Sequence, residues 1–226
     1  MKGYPDFQVP IRIVGQDLDK LSIDIVAQTI ENLKAQTISL RGKIVDLGAI
    51  ATGYIQTPYY AIGHPAGQLS QVPLAYDYVS VEGSTNSTSW KEVCYEEFEL
   101  KLKRDVKVGG VSLVSIPTDI WVTGSLGHFY TRADLYRIDT ENVRHHIAGW
   151  DSEQVQTSST SPVSHNFMCV IYVDDYQLYA DERLLIRVAG YAYIDDSAYE
   201  AHIKIYFDPI DRPLKAVVPW RLVDYE

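Results

Sequence analysis

The pairs Asp174-Asp175 and Asp195-Asp196 carry the most suggestive spacing in the chain. Two adjacent carboxylates after Tyr-x, as in Tyr172-Val173-Asp174-Asp175, could hold magnesium ions for phosphoryl transfer. The pattern recurs as Tyr193-Ile194-Asp195-Asp196, again after an apolar alternating run. Two copies at strand ends read better as turns, where Asp bonds its own backbone. A calcium ion could use such acidic turns with Asp181, Glu182 or Asp211, but no EF-hand spacing supports it. His145-His146 cannot share one metal on a strand, because neighbouring side chains point to opposite faces. Cys94 and Cys169 are the only cysteines, too few for a zinc site or a disulfide framework. A disulfide between them is possible, but both lie in apolar runs and read as buried free thiols. No GxSxG, HExxH, CxxC, Walker or GxGxxG pattern occurs. The expectation is a protein that is not an enzyme, with no catalytic residue, no cofactor and no metal.

The elements that carry these residues are mostly strands. Phe98, Leu100 and Leu102 alternate with Glu97, Glu99, Lys101 and Lys103, the pattern of a half-buried strand. Ile203, Ile205 and Phe207 repeat it. Further candidates are 76–81, 110–116, 120–123, 129–138, 167–173, 184–194 and 217–223. Glu82–Ser89, Pro117–Asp119, Gly124–Gly127, Gln154–Ser164 and Asp208–Pro213 read as turns between them. About eight to ten strands with such breaks predict an all-β, jelly-roll-like β-sandwich over residues 75–226.

Charge divides the chain of 226 residues, whose formal charge is −10. Residues 1–70 hold six basic and six acidic residues, so the whole excess of carboxylates falls beyond them. All four Trp and 13 of the 17 Tyr fall there too. The division predicts an N-terminal segment over 1–57, a Pro- and Gly-bearing linker over 58–74 and the sandwich over 75–226. The acidic balance argues against nucleic acid as a partner, since phosphate binding needs clustered Lys and Arg. The longest apolar run, Leu47–Ile55, is far short of the roughly 20 residues a spanning helix needs. The first ten residues lack the apolar core of a signal peptide.

The N-terminal segment repeats itself. Residues 13–24 read IVGQDLDKLSID and 25–36 read IVAQTIENLKAQ, while AQTI at 27–30 returns at 35–38. The shifts of 12 and 8 are even, which keeps every side chain on one face of a strand. A coiled coil competes: Ile23, Val26, Ile30, Leu33, Thr37, Leu40, Ile44 and Leu47 fit heptad a and d positions. Gly42 and Gly48 oppose it, each costing about 1 kcal/mol in a helix. An ordinary packed helix is a third reading. Two short repeats cannot bury their own apolar faces, so the strand and coiled-coil readings both require sister chains or a partner surface. The expected assembly contacts are Ile13, Ile23, Ile25, Val26, Ile30, Leu33, Ile38 and Leu40. A homo-oligomer follows, with a trimer favoured.

The segment PIRIVGQDLDKLSIDIVAQTIENLKAQTI resembles the IVAQTI-type repeats of structural proteins from archaeal viruses and thermophile phages. The resemblance covers about 30 of the 226 residues. It implies a fibre, spike or adaptor at the virion surface, in contact with other virion proteins. It also implies a head that meets a host-surface glycan or protein receptor. No catalytic residue transfers. Trp150, beside Gly149 and Asp151, is the expected exposed ligand contact, with Tyr59 and Tyr60 beside it in candidacy, because Tyr and Trp enrich at binding surfaces. A carbohydrate-binding module, a surface-layer or filament subunit and a small hydrolase are the alternatives.

Overall fold

A computed structural model describes residues 55–63, 67–73 and 79–222. The chain divides at Ala51/Thr52, and every described residue belongs to the second unit. The eight expected assembly contacts, from Ile13 to Leu40, lie outside the described residues.

Twelve strands follow in order: β1 (Ile55–Ile62), β2 (Gly67–Ser70), β3 (Ser80–Thr85), β4 (Lys91–Lys101), β5 (Val106–Val122), β6 (Gly127–Ile138), β7 (Arg144–Asp151), β8 (Val155–Thr157), β9 (Val163–Leu178), β10 (Arg183–Ile194), β11 (Ala201–Tyr206) and β12 (Lys215–Leu222). They form one hydrogen-bonded sheet that folds over into two layers, an all-β jelly-roll-like sandwich. In the first layer β5 pairs with β9 along one edge and with β12 and then β11 along the other. β1 adds to β12, β2 to β1 and β3 to β11. The second layer is β4-β10-β6-β7, with β8 on the end of β6. The parallel pair β2–β4 joins the layers.

Alternation builds the core. Even-numbered residues of β5 from Ser112 to Val122 are buried, and the odd ones between them face out. Odd residues of β9 from Phe167 to Val173 do the same. Phe98, Phe129, Phe167, Ile116, Leu135, Ile171 and Ile186 are fully enclosed between the layers. Phe98 of β4 meets Phe207, just after β11, edge to face at 5.4 Å. Cys169 of β9 contacts Thr131 of β6 across the same core. Each enclosed aromatic or branched side chain contributes about 1.5–3 kcal/mol of transfer free energy.

Several expectations change here: Glu82–Ser89, read as a turn, opens inside β3, and Gln154–Ser164 holds β8 and the first residues of β9. The stretch 58–74 holds most of β1 and all of β2, where a linker is expected. Pro58 is accepted because β1 pairs only with β12 there, β2 meeting β1 only from Tyr60, so one side of the strand has no ladder partner for an N–H to serve. Pro117–Asp119, expected as a turn, runs through the middle of β5. Pro117 sits where the neighbour of β5 changes from β12, which ends at Ser115, to β11, which begins at Thr118. A strand accepts proline at such an interruption. Asp174-Asp175 lies inside β9, while Asp195-Asp196 does follow the end of β10. There Asp196 accepts the Ala198 N–H, as the turn reading requires.

Turn chemistry closes the hairpins that matter for the second layer. Between β6 and β7, Asn142 takes φ of 64° and the Asp139 carboxylate accepts the N–H groups of Glu141 and Val143. Between β9 and β10, Asp181 takes φ of 66°. These left-handed positions suit Asn and Asp better than most residues.

Candidate functional site

The outer face of the second layer gathers aromatic rings. Register places Tyr191 of β10 opposite Tyr130 of β6, and Tyr193 opposite His128. The Tyr130 and Tyr191 rings stack at 4.7 Å with 4° between planes. His128 and Tyr193 stack at 4.0 Å. Trp90, just ahead of β4, stands edge-on to both Tyr130 and Tyr193 at 4.6 Å. The Tyr191 hydroxyl donates to Glu92 at 2.8 Å. Burial, and then that carboxylate, push its phenol up to about 12. His128 Nε2 lies 3.0 Å from Asp195.

Charged pairs fill the rest of this face. Arg144 holds Glu97 with two bonds at 2.6 and 2.7 Å. Arg187 bridges to Glu92 and lies over the Tyr95 ring at 4.5 Å. Arg132 clamps the buried Asp134 at 2.9 and 3.1 Å and reaches Asp151 at 2.9 Å. His146 adds a bond to Asp134 at 3.1 Å. Gly149 leaves room for this knot, since a Cβ there would fall 1.8 Å from Asp134 Oδ1. The bond to Asp134 comes first among the causes that raise the Arg132 guanidinium pKa.

The expected ligand contacts divide. Trp150 on β7 is exposed, at 52%, and leans edge-on against Tyr172 of β9 at 6.0 Å. It therefore stands at the seam between the layers, away from the ring cluster. Tyr59 is 7% exposed and packs edge-on against Trp220, so it is a core residue and not a surface contact. Its inward position follows from the alternation of β1, in which Tyr59 and Ala61 are buried. Tyr60 faces out beneath the Lys215 ammonium, 5.4 Å from its ring. Trp90, Tyr130, Tyr191 and Tyr193 are the residues that sequence reading passes over. Their signal is the alternation His128/Tyr130 and Tyr191/Tyr193, which puts rings on one face once the strand register is known.

The rings and carboxylates of this face can stack on and hydrogen-bond a ligand. Cys94 and Cys169 are free and buried, and burial pushes both thiols up to about 12, far from a nucleophilic thiolate at neutral pH. Among the described residues no serine or cysteine side chain hydrogen-bonds a histidine ring, and no group of three His, Cys, Asp or Glu could hold a metal. The five described histidines each face a carboxylate: His128–Asp195, His145–Asp139, His146–Asp134, His165–Glu153 and His202–Glu200. Glu182, offered above for calcium, is buried and paired with Arg137.

A shallow groove of about 430 Å³ lies on the first layer, lined by Pro117, His165, Asn166, Arg212 and Lys215 among others. At its rim Asp119 binds Arg212 at 2.9 Å and accepts the hydroxyls of Tyr206 and Ser164. Burial alone would raise the Asp119 pKa, but these three donors outweigh it and hold the carboxyl below the usual range.

No protein-family model matches the chain, and no curated protein sequence matches it. Solved structures do share its fold. A CocE/NonD family hydrolase from Staphylococcus aureus superposes with a TM-score of 0.53 at 9% identity, over 75% of this chain and 37% of that one. An alpha-amino acid ester hydrolase gives 0.52 at 12% identity, over 74% and 36%. An aminopeptidase from a marine sediment Thaumarchaeota archaeon gives 0.50 at 8% identity, over 74% and 37%. The chain thus spans about a third of the length of these hydrolases, and the likeness establishes a shared β-sandwich fold.

Proposed function

We propose that this chain is a structural and attachment protein, a fibre, spike or adaptor component of a virion. In this reading the N-terminal repeat assembles copies or docks them, and the β-sandwich is the head presented at the virion surface. The observation that supports it best is where the sandwich keeps its reactive and aromatic groups. Its thiols are buried, its described histidines face carboxylates, and Trp90, Tyr130, Tyr191 and Tyr193 gather half-buried on an outer sheet face while the phenylalanines fill the core. That arrangement suits recognition over extended surface. Several weak head contacts would then add by avidity when an oligomer presents them together. Light scattering of the full chain behind a sizing column tests the reading. A closed oligomer of about three subunits, lost in the Ile25→Asp/Leu33→Asp double variant, is the expected result. An oligomer unchanged by that variant would remove the repeat from assembly.

A second reading, a carbohydrate-binding module, is favoured by the Trp90/Tyr130/Tyr191/Tyr193 cluster. Rings of this kind stack on sugar faces while Glu92 and Arg187 offer hydrogen bonds to hydroxyls. It predicts a saturable change in tryptophan fluorescence on titration with a panel of neutral oligosaccharides. The change should be lost in Trp90→Ala and kept in Trp150→Ala. A flat response across the panel sinks it.

A further inference from the structure

The two solvent-facing sides of the sandwich should both be polar, because alternation puts apolar residues inside. The second layer fills its outward positions with ion pairs and with rings that stack on one another. The first layer does not. Register aligns Val170 of β9, Leu113 of β5, Val217 of β12 and Pro58 of β1 in one row across four strands, all on the outer face. Tyr172 and Met168 flank this row on β9, exposed at 64% and 40%. Trp150 extends it by leaning on Tyr172. An apolar row this continuous on an open sheet face marks a contact surface more than a random scatter would.

Charge decides what covers it. The chain carries 30 carboxylates and a net charge of −10, so two copies repel over most of their surface. The three rows centred on Val170 hold no carboxylate. Their one charged residue is Lys215, opposite Ser115 in the row of Met168. Asp174 and Asp119 appear only beyond the rows. A face without carboxylates lets two such acidic chains meet there without bringing like charges together.

We propose that the outer face of β9, β5, β12 and β1 is a contact between copies of this chain. It adds to the assembly reading a second interface, in the head and separate from the N-terminal repeat. Packing a second copy here removes the apolar row from water and brings together three central rows that hold no carboxylate.

The test uses the full chain in three forms, compared by light scattering over a range of concentrations: unaltered, Met168→Asp/Tyr172→Asp, and Ile25→Asp/Leu33→Asp. The expected result is that the Met168/Tyr172 variant falls to about half the mass of the unaltered chain or less at equal concentration. An unaltered mass in that variant overturns the proposal, even if the repeat variant dissociates and the assembly reading stands. Dissociation of the Met168/Tyr172 variant alone supports the proposal and removes the repeat instead. Should the aspartates unfold the chain, Tyr172→Cys decides by cross-linking with a short bis-maleimide, since both natural thiols are buried. Covalent dimers support the contact. A chain that stays monomeric and forms no such dimers overturns it and leaves the face to a different partner.

Discussion

The two outer faces of the sandwich are built from the same kind of strand and finished differently. On the second layer, outward positions of β4, β6, β7 and β10 pair up: Glu97 with Arg144, Glu92 with Arg187, Asp134 with Arg132, ring with ring at Tyr130 and Tyr191. On the first layer, the outward positions of β9, β5, β12 and β1 align Val170, Leu113, Val217 and Pro58. A paired polar face meets its own requirements within the chain. An apolar face meets them only when something covers it. The comparison therefore separates a surface that is complete in one copy from one that is not.

The largest effect should come from breaking the knot beneath the polar face. Asp134 is buried, and Asp134→Ala leaves Arg132 and His146 without their shared acceptor. We expect a loss of about 1–3 kcal/mol in urea unfolding. Val170→Thr on the apolar face should change the stability of a dilute monomer by no more than about 0.5 kcal/mol. Equal losses at the two positions would erase the contrast between the faces.

A smaller effect sharpens the edge of the first layer. Asp119 has its pKa depressed by Arg212, Tyr206 and Ser164 against the opposing effect of burial. A depressed carboxyl contributes stability that is fully present above its unfolded value of about 3.9 and is lost as pH falls through the lower folded value. Asp119→Asn should therefore lower the melting temperature at pH 6 by a few degrees, about the shift expected for 1 kcal/mol or less. The gap should close once the pH falls below the lowered folded value, where the natural carboxyl also protonates. A gap that stays constant from pH 6 to pH 2 would show that the carboxylate charge is not what holds this rim.

Much of the fold is legible residue by residue. Ile203, Ile205 and Phe207 face in and His202, Lys204 and Tyr206 face out, as alternation requires. The free, buried state of Cys94 and Cys169 likewise follows from their apolar neighbours. β7 was harder to find: Arg144-His145-His146-Ile147-Ala148-Gly149-Trp150-Asp151 has no clean period, and a register shift at Leu135/Tyr136 accounts for part of that. β1 and β2 were hidden by the prolines and glycines around them, because composition marks turns but does not say when pairing partners override it. The ring cluster was hidden for another reason. Each tyrosine was visible, but which rings touch depends on which strands are neighbours.

What the sequence determined by itself is local: strand period, turn chemistry at Asp196, buried thiols and an acidic surface. These follow from side-chain alternation and from hydrogen bonds that reach only a few residues along the chain. Only the tertiary structure decided which outward residues share a row. Pro58, Leu113, Val170 and Val217 are far apart in the chain and meet because β1, β12, β5 and β9 pair in one register. Register is a property of strands together, set by the core they jointly bury, and no single segment carries it.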